Sequence, residues 1–302
     1  MSRPDLVEAR LKNITLPVGR VSAPRAEADP AAMSRKIKAM GLQLGAGKVG
    51  ITELNQQWVY TYEPQPSYGK PVECNFKYVI CLAVPQDPFM IANHRGLGTT
   101  WEVGWTYSYA SFISVIIANF IRHLGWPARP VPTFATPYLV CPVFIDAGIG
   151  EDGRCGYVVS KELGNNFRPG GVLTDLPLVP DKPVDFGLQD FCDHCGICAE
   201  TCPAGAIPTG GREVVMGVRK WKIDPEKCYR YWNTIGHACG ICQVVCPWNH
   251  KNNLLHNIVR EVVQRVPILR KFLVHADKIF FSYKPGPDPR WLAEFIPFKV
   301  AI

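Results

Sequence analysis

Eight of the twelve cysteines in this 302-residue chain fall into two runs between positions 192 and 246, spaced for iron–sulfur chemistry. The first, Phe191-Cys-Asp-His-Cys-Gly-Ile-Cys-Ala-Glu-Thr-Cys-Pro203, reads C-x2-C-x2-C-x3-C-P. The second supplies Cys228, then Cys239, Cys242 and Cys246 followed by Pro247, so its tail repeats C-x2-C-x3-C-P. A cage of four irons needs four thiolates converging from different directions. Three can come from one tight turn of chain. The fourth returns from elsewhere, and the proline after it stops a helix from running on. In this pattern the fourth cysteine of each run serves the other cluster. One [4Fe-4S] cluster is therefore expected on Cys192, Cys195, Cys198 and Cys246. The other is expected on Cys202, Cys239 and Cys242, with Cys228 completing it from upstream.

Zinc knuckles would pair two C-x2-C units and have no use for the third and fourth cysteines at these spacings. Disulfides suit small secreted chains, whereas this one is long enough to bury a large core. The runs instead match a bacterial ferredoxin-like module with two clusters. Cys74, Cys81, Cys141 and Cys155 have no ligand spacing, and Cys81 and Cys141 sit within apolar runs as small buried thiols. His194 and His237 lie inside the cluster loops, where packing suits them better than ligation.

The rest of the chain must position this chemistry. Hydrophobic content of 47% with 20% charge is that of a globular protein, and the net charge of +7 is scattered rather than clustered. No apolar stretch reaches a membrane span, since Phe112 to Ile121 is followed at once by Arg122 and His123. The first residues lack the apolar core of an export signal, so the sequence as it stands reads as cytoplasmic. A chain whose signal had been removed, and which worked as an exported, membrane-associated protein, would look the same.

Residues 1–32 read as a loosely ordered arm, and 33–45 as a helix leading into a strand at 48–52. Residues 75–85 form a near-continuous apolar run, as in a strand buried on both faces. A helix is predicted from Thr106 to Leu124, ended by Gly125, and a further buried strand over 140–146. A glycine-rich turn at 148–156 is followed by strand-like segments at 157–160 and 171–174. Alternating strands and helices give an α/β (α+β) layered core over 33–185. The cluster module follows at 186–255, and 256–302 adds a helix and a Pro-rich aromatic tail packing on the core.

Several blocks of the core resemble the corrinoid-dependent reductive dehalogenases. They are Ile121-Arg-His-Leu-Gly-Trp126, Ile145-Asp-Ala-Gly-Ile-Gly150 with Gly153-Arg154, Leu173-Thr-Asp-Leu-Pro-Leu178, and Asp185-Phe-Gly187 entering the first cysteine run. Glu53-Leu-Asn, Trp58-Val-Tyr60, Phe76 to Val84 and Cys228-Tyr-Arg-Tyr-Trp232 look like further segments of that family. The resemblance covers roughly 33–255. It implies a nitroreductase-like core binding base-off cobalamin, with electrons passing through both clusters to cobalt. The resulting Co(I) removes halogen from an organohalide, and hydrogen takes its place. By position, Tyr107 resembles the family's proton-donating Tyr and Arg168 its partner, whose guanidinium stabilises the phenolate left behind. Tyr109 is the fallback, but residues i and i+2 of a helix face different sides. Trp232 matches a substrate-pocket Trp, and Gly148, Gly150 and Gly153 would let backbone approach the corrinoid. An electron donor such as ferredoxin, flavodoxin or a membrane quinol system is implied. No nucleic-acid partner is expected, and a homodimer is compatible with the sequence.

The chain departs from the family where some members place Asn or Lys near cobalt, around Thr133 to Ala135, since neither residue occurs there. Epoxyqueuosine reductases, which modify tRNA, share the core but carry an acidic proton donor in that region. This chain has no Asp or Glu between Gly125 and Asp146, which disfavours that alternative. A plain two-cluster electron carrier is the third reading, and it leaves most of the core unexplained.

Overall fold

The computed structural model describes residues 19–63, 69–92, 96–132, 136–250 and 253–281. In chain order the first elements are α1 (Pro30–Gln43), β1 (Lys48–Glu53), β2 (Tyr78–Pro85), α2 (Pro88–Ala92), α3 (Leu97–His123) and β3 (Ala128–Val131). Then come α4 (Val140–Asp146), β4 (Glu151–Asp152), β5 (Val158–Val159) and β6 (Phe167–Thr174). The cysteine-rich region holds α5 (Leu188–Cys195), α6 (Ile197–Glu200), β7 (Glu213–Val215), β8 (Val218–Lys220), α7 (Pro225–Ile235) and α8 (Ile241–Val244). Helices α9 (Leu254–Arg265) and α10 (Arg270–Phe280) complete the described chain.

These elements divide into two compact units. The first comprises the described residues up to Pro85, with Thr106–Ile149 and Arg168–Val184. The second comprises Gln86–Trp105, Gly150–Phe167 and the described residues from Asp185 onward. The first unit's last segment ends at Val184, and the second unit resumes at Asp185. The assignment of 86–105 and 150–167 differs from the sequence reading, because both segments group with the cysteine-rich region rather than with the core.

The first unit is built on a four-stranded sheet in the order β1-β2-β6-β3, with β1 antiparallel to β2 and β3 antiparallel to β6. All residues of β2 except Pro85 are buried, as its unbroken apolar sequence requires. Ile80 and Leu82 face a cluster completed by Ile37 of α1 and by Ile113, Ile117 and Ile121 at successive turns of α3. On the other side, the Cys81 thiol lies 3.9 Å from the Val143 carbonyl of α4. Helix α1 begins where Asp29 accepts the Ala32 amide at 2.8 Å and Pro30 takes the first turn.

Three expectations change in and next to this unit. Residues 140–146 form a helix, not a strand. A seven-residue apolar run fits either period, and Pro142 falls in the first turn, where no intrahelical N–H is needed. Helix α3 starts at Leu97, nine residues before the expected Thr106, through Gly98, Thr99, Thr100 and Gly104, which have weak helix propensity. The described part of the N-terminal arm is fixed in place. The amides of Ser22 and Ala26 donate to the carbonyls of Arg122 and Leu124 at 3.0 and 2.9 Å, and Arg25 stacks 4.3 Å over Trp126. Residues 1–18 of that arm lie outside the described residues.

Gly50 of β1 shows how tightly α4 is seated. A Cβ there would stand 2.1 Å from the Ala147 carbonyl oxygen, a backbone atom that cannot swing aside. Gly50→Ala is expected to lower unfolding free energy by about 1–3 kcal/mol, as overpacking does, measured by denaturant titration.

In the second unit, Phe186, Leu188, Phe191 and Trp248 pack with Val263 of α9 and Val274 of α10. Arg270 is 5% exposed, pairs with Asp190 of α5 and donates to the Val263 carbonyl at 2.7 Å. Lys278 meets Glu200 at 2.7 Å. The C-terminal helices therefore pack on the cysteine-rich module, not on the α/β core as the sequence suggested. The tail beyond 281 lies outside the described residues. Among the described residues no helix is long and apolar enough to cross a membrane.

Candidate functional site

The two cysteine runs share one local device. Cys195-Gly196-Ile197-Cys198 and Cys239-Gly240-Ile241-Cys242 each place a left-handed glycine, φ +66 and +67, at the start of a four-residue helix. Only glycine adopts that turn without strain. It reverses the chain between two cysteines and sends the intervening isoleucine into the apolar cluster. Helix α5, which carries Cys192 and Cys195, is anchored by Glu151. That buried carboxylate accepts the amides of Phe186 and Leu188 at 2.7 and 3.2 Å. Its carboxyl is pushed above the usual range by burial, and these hydrogen bonds oppose the shift.

Cys192, Cys195, Cys198 and Cys246 line a single cavity, bringing together the first predicted set, and Cys242 of the second set reaches the same cavity. The second set is also drawn together. The Cys228 thiol is raised by burial and by the neighbouring Cys239 and Cys202. Cys242 is raised well above its ordinary value by burial and by neighbours that include Cys239, Cys228 and Cys202. Burial likewise pushes up Cys195, to about 11, and Cys192, Cys198 and Cys246 further. These thiols hold their protons until a metal displaces them. All twelve cysteines are free of disulfides.

The walls of the first cavity fit an anionic iron–sulfur cage. Among the described residues, no group of three or more His, Cys, Asp or Glu side chains converges closely enough for a single ion. The wider arrangement suits a cage, whose ligands stand apart. Trp248 is 3% exposed and lines the cavity, and its indole N–H has no partner among the described protein groups. Arg154 is also buried in this wall. Its guanidinium donates to the carbonyls of Cys192, Pro208 and Gly210 at 3.0, 2.9 and 2.7 Å, all neutral acceptors. A cage ligated by four thiolates would supply negative charge beside this cation, whose hydrogen-bond acceptors here are carbonyls. Spacing rules did not single out Arg154 or Trp248 as parts of this wall, although Arg154 sits within a block already matched to the family.

In the first unit, the structure brings Tyr107 and Arg168 together. Arg168, on β6 and 6% exposed, holds its guanidinium carbon 5.2 Å from the Tyr107 ring centroid on α3. Tyr109 points elsewhere. Its hydroxyl donates to the Leu44 carbonyl at 2.9 Å, and its ring packs against the apolar core. The fallback residue is thus engaged in joining α3 to the end of α1.

Trp232 belongs to the second unit, on α7, where it is 44% exposed and meets Tyr229 edge-on at 5.4 Å. Gly148, Gly150 and Gly153 would direct a Cβ to within 2.6 Å of the Lys182 carbonyl, 2.1 Å of the Val159 carbonyl and 2.8 Å of the Val159 side chain. Packing of the chain on itself therefore requires glycine at all three, and their role beside a corrinoid rests on the family resemblance alone. Thr133 to Ala135, the region of the absent Asn or Lys, lies outside the described residues.

Residues 191–250 match the 4Fe-4S dicluster domain family. The chain is 30% identical over 297 residues to the tetrachloroethene reductive dehalogenase of Sulfurospirillum multivorans, covering 86% of this chain and 59% of that protein. It is also 30% identical over 273 residues to the epoxyqueuosine reductase of Escherichia coli strain K12, covering 74% and 66%. The solved structure of the catabolic reductive dehalogenase NpRdhA superposes with a TM-score of 0.85 at 28% identity, over 95% of this chain and 42% of that one. The chain thus spans about six tenths of the first of these relatives. It is similar in sequence and fold to the reductive dehalogenases over nearly its whole length, and it carries a 4Fe-4S dicluster module of the ferredoxin type.

Proposed function

We propose that the protein is a cobalamin- and iron–sulfur-dependent reductive dehalogenase that replaces halogen by hydrogen on an organohalide. The observation that carries this reading is the Tyr107–Arg168 pair, a phenol beside a buried guanidinium, while Tyr109 is engaged with Leu44. The net change is R–X plus two electrons and one proton giving R–H plus halide. When bound, a base-off corrinoid supplies the reducing centre at the carbon–halogen bond, and two [4Fe-4S] clusters supply its electrons one at a time.

The chain's own residues supply the proton. Tyr107 Oη gives it to the carbon that loses halide and would otherwise carry anionic character. Arg168 favours the phenolate that remains, because its charge is held at fixed distance in a buried setting. Trp232 lines the substrate pocket, and the turn at Gly148, Gly150 and Gly153 borders the corrinoid. Electrons come from an outside donor such as ferredoxin, flavodoxin or a membrane quinol system. These roles follow the family resemblance and are compatible with the positions described above.

Epoxyqueuosine reduction is the second reading, favoured by the 30% identity to the Escherichia coli enzyme. The absence of Asp or Glu between Gly125 and Asp146 weighs against it. Metal content decides the class first. Protein produced anaerobically with cobalamin supplied is expected to carry about one cobalt and roughly eight irons per chain. It should then release halide from organohalides under a low-potential reductant. Irons without cobalt would leave an electron carrier, whereas both metals with turnover only of epoxyqueuosine-containing RNA would establish the second reading.

A further inference from the structure

One thiol in the second unit has no place in either ligand set. Cys155, in the turn between β4 and β5, is 7% exposed. It lines the cavity of Cys192, Cys195, Cys198 and Cys246. It also packs in an apolar cluster with Cys198, Cys202 and Cys242, which places it against both sets.

Its sulfur is held by a rigid frame. Asn165, 2% exposed, donates its side-chain N–H to Cys155 Sγ at 3.3 Å. That asparagine is itself fixed on three sides. Its amide donates to Asn249 Oδ1 at 2.9 Å, its Oδ1 accepts from Asn249 Nδ2 at 2.5 Å, and its carbonyl accepts from Gln243 at 2.9 Å. With that donor on a lone pair, the thiol keeps its own S–H proton to give. The cavity it faces also contains the N–H of Trp248, a second donor with no acceptor among the described residues.

We propose that Cys155 is a hydrogen-bond donor to the iron–sulfur centres, not a ligand, standing between them and holding both at higher reduction potential. This rests on the two-cluster reading. Hydrogen bonds to cluster sulfurs are among the determinants of potential, because they stabilise the more negative, reduced form. A ninth thiolate would instead set a further negative charge between two anionic cages, which disfavours ionisation or ligation there. Asn165 is the positioning residue: it occupies the accepting side of the sulfur and leaves the proton to face the cages.

The test uses the holoprotein and begins with iron content. Native protein without about eight irons would end the two-cluster reading itself. With eight present, EPR-monitored redox titration is run on native protein, Cys155→Ala, Cys155→Val and Cys155→Ser. Alanine and the nearly isosteric valine are expected to keep the irons and to move both midpoint potentials downward. Serine, which retains a donor, should restore them toward or above the native values. Valine gives the same reading if alanine fails to assemble; if neither apolar variant assembles, serine midpoints below the native ones would overturn the proposal and midpoints at or above them would support it. Unmoved midpoints in an assembled apolar variant would overturn the proposal. Loss of about four irons in Cys155→Ala and Cys155→Val, with retention in native protein, would overturn it too, by making Cys155 a ligand.

Discussion

Tyr107→Phe is expected to keep its irons and its cobalamin while halide release falls by about 10²- to 10⁴-fold, the usual contribution of a positioned proton donor. The substitution removes one oxygen from a half-buried ring and leaves the packing of α3 intact. Its effect on folding should therefore be small. Halide release by ion chromatography, read beside cobalt content and the visible spectrum, separates lost chemistry from lost cofactor. Arg168→Gln should reproduce much of the loss, and Arg168→Lys should recover part of it, because a point charge retains the attraction without the planar guanidinium. Tyr109→Phe provides the control. It loses the hydrogen bond to Leu44, so stability falls while turnover per folded molecule holds. Unchanged turnover in Tyr107→Phe would remove this residue from the mechanism.

The second large effect concerns which cysteines share a cluster. Cys246→Ala is expected to lower iron from about eight to about four per chain and to stop electron delivery. A single substitution cannot tell which set Cys246 serves, but pairs can. Cys195→Ala with Cys246→Ala should still leave about four irons, because the cysteine spacing assigns both residues to one cluster. Cys239→Ala with Cys246→Ala should remove nearly all iron, since one ligand is lost from each set. The opposite pattern would reverse the assignment. Metal binding and folding are coupled in such modules, so circular dichroism should accompany the iron assay. A double variant that unfolds entirely reports on folding and not on pairing.

The chemistry of the module was legible because its ligands are set by short-range spacing. Three cysteines at two- and three-residue intervals, a glycine between two of them and a proline after the last describe a turn that needs no distant partner to be recognised. The strand at 78–85 was legible for a related reason, since a run of eight residues ending in proline with seven buried has only one plausible place in a layered core. The family blocks carried the rest of the reading, including Tyr107 and Arg168. They could be named from the sequence as a pair only by resemblance, being 61 positions apart.

Tertiary structure decided what local pattern left degenerate. Residues 140–146 could be strand or helix until Val143 and Phe144 were seen buried in one short helix with Cys81 close to its backbone. Tyr107 was preferred over Tyr109 only by resemblance until the fold placed the first beside Arg168 and had the second donate to Leu44. The segments 86–105 and 150–167 belong with the cysteine-rich region because of contacts such as Gln243 with Gln86 at 3.0 Å, which no periodicity announces. Cys155, Asn165 and Asn249 form one frame although they lie up to 94 positions apart in the sequence. Local spacing fixes the geometry of a turn, and therefore which residues can ligate. Burial and charge around those ligands come from segments distant in the chain, and only the packed chain brings them there.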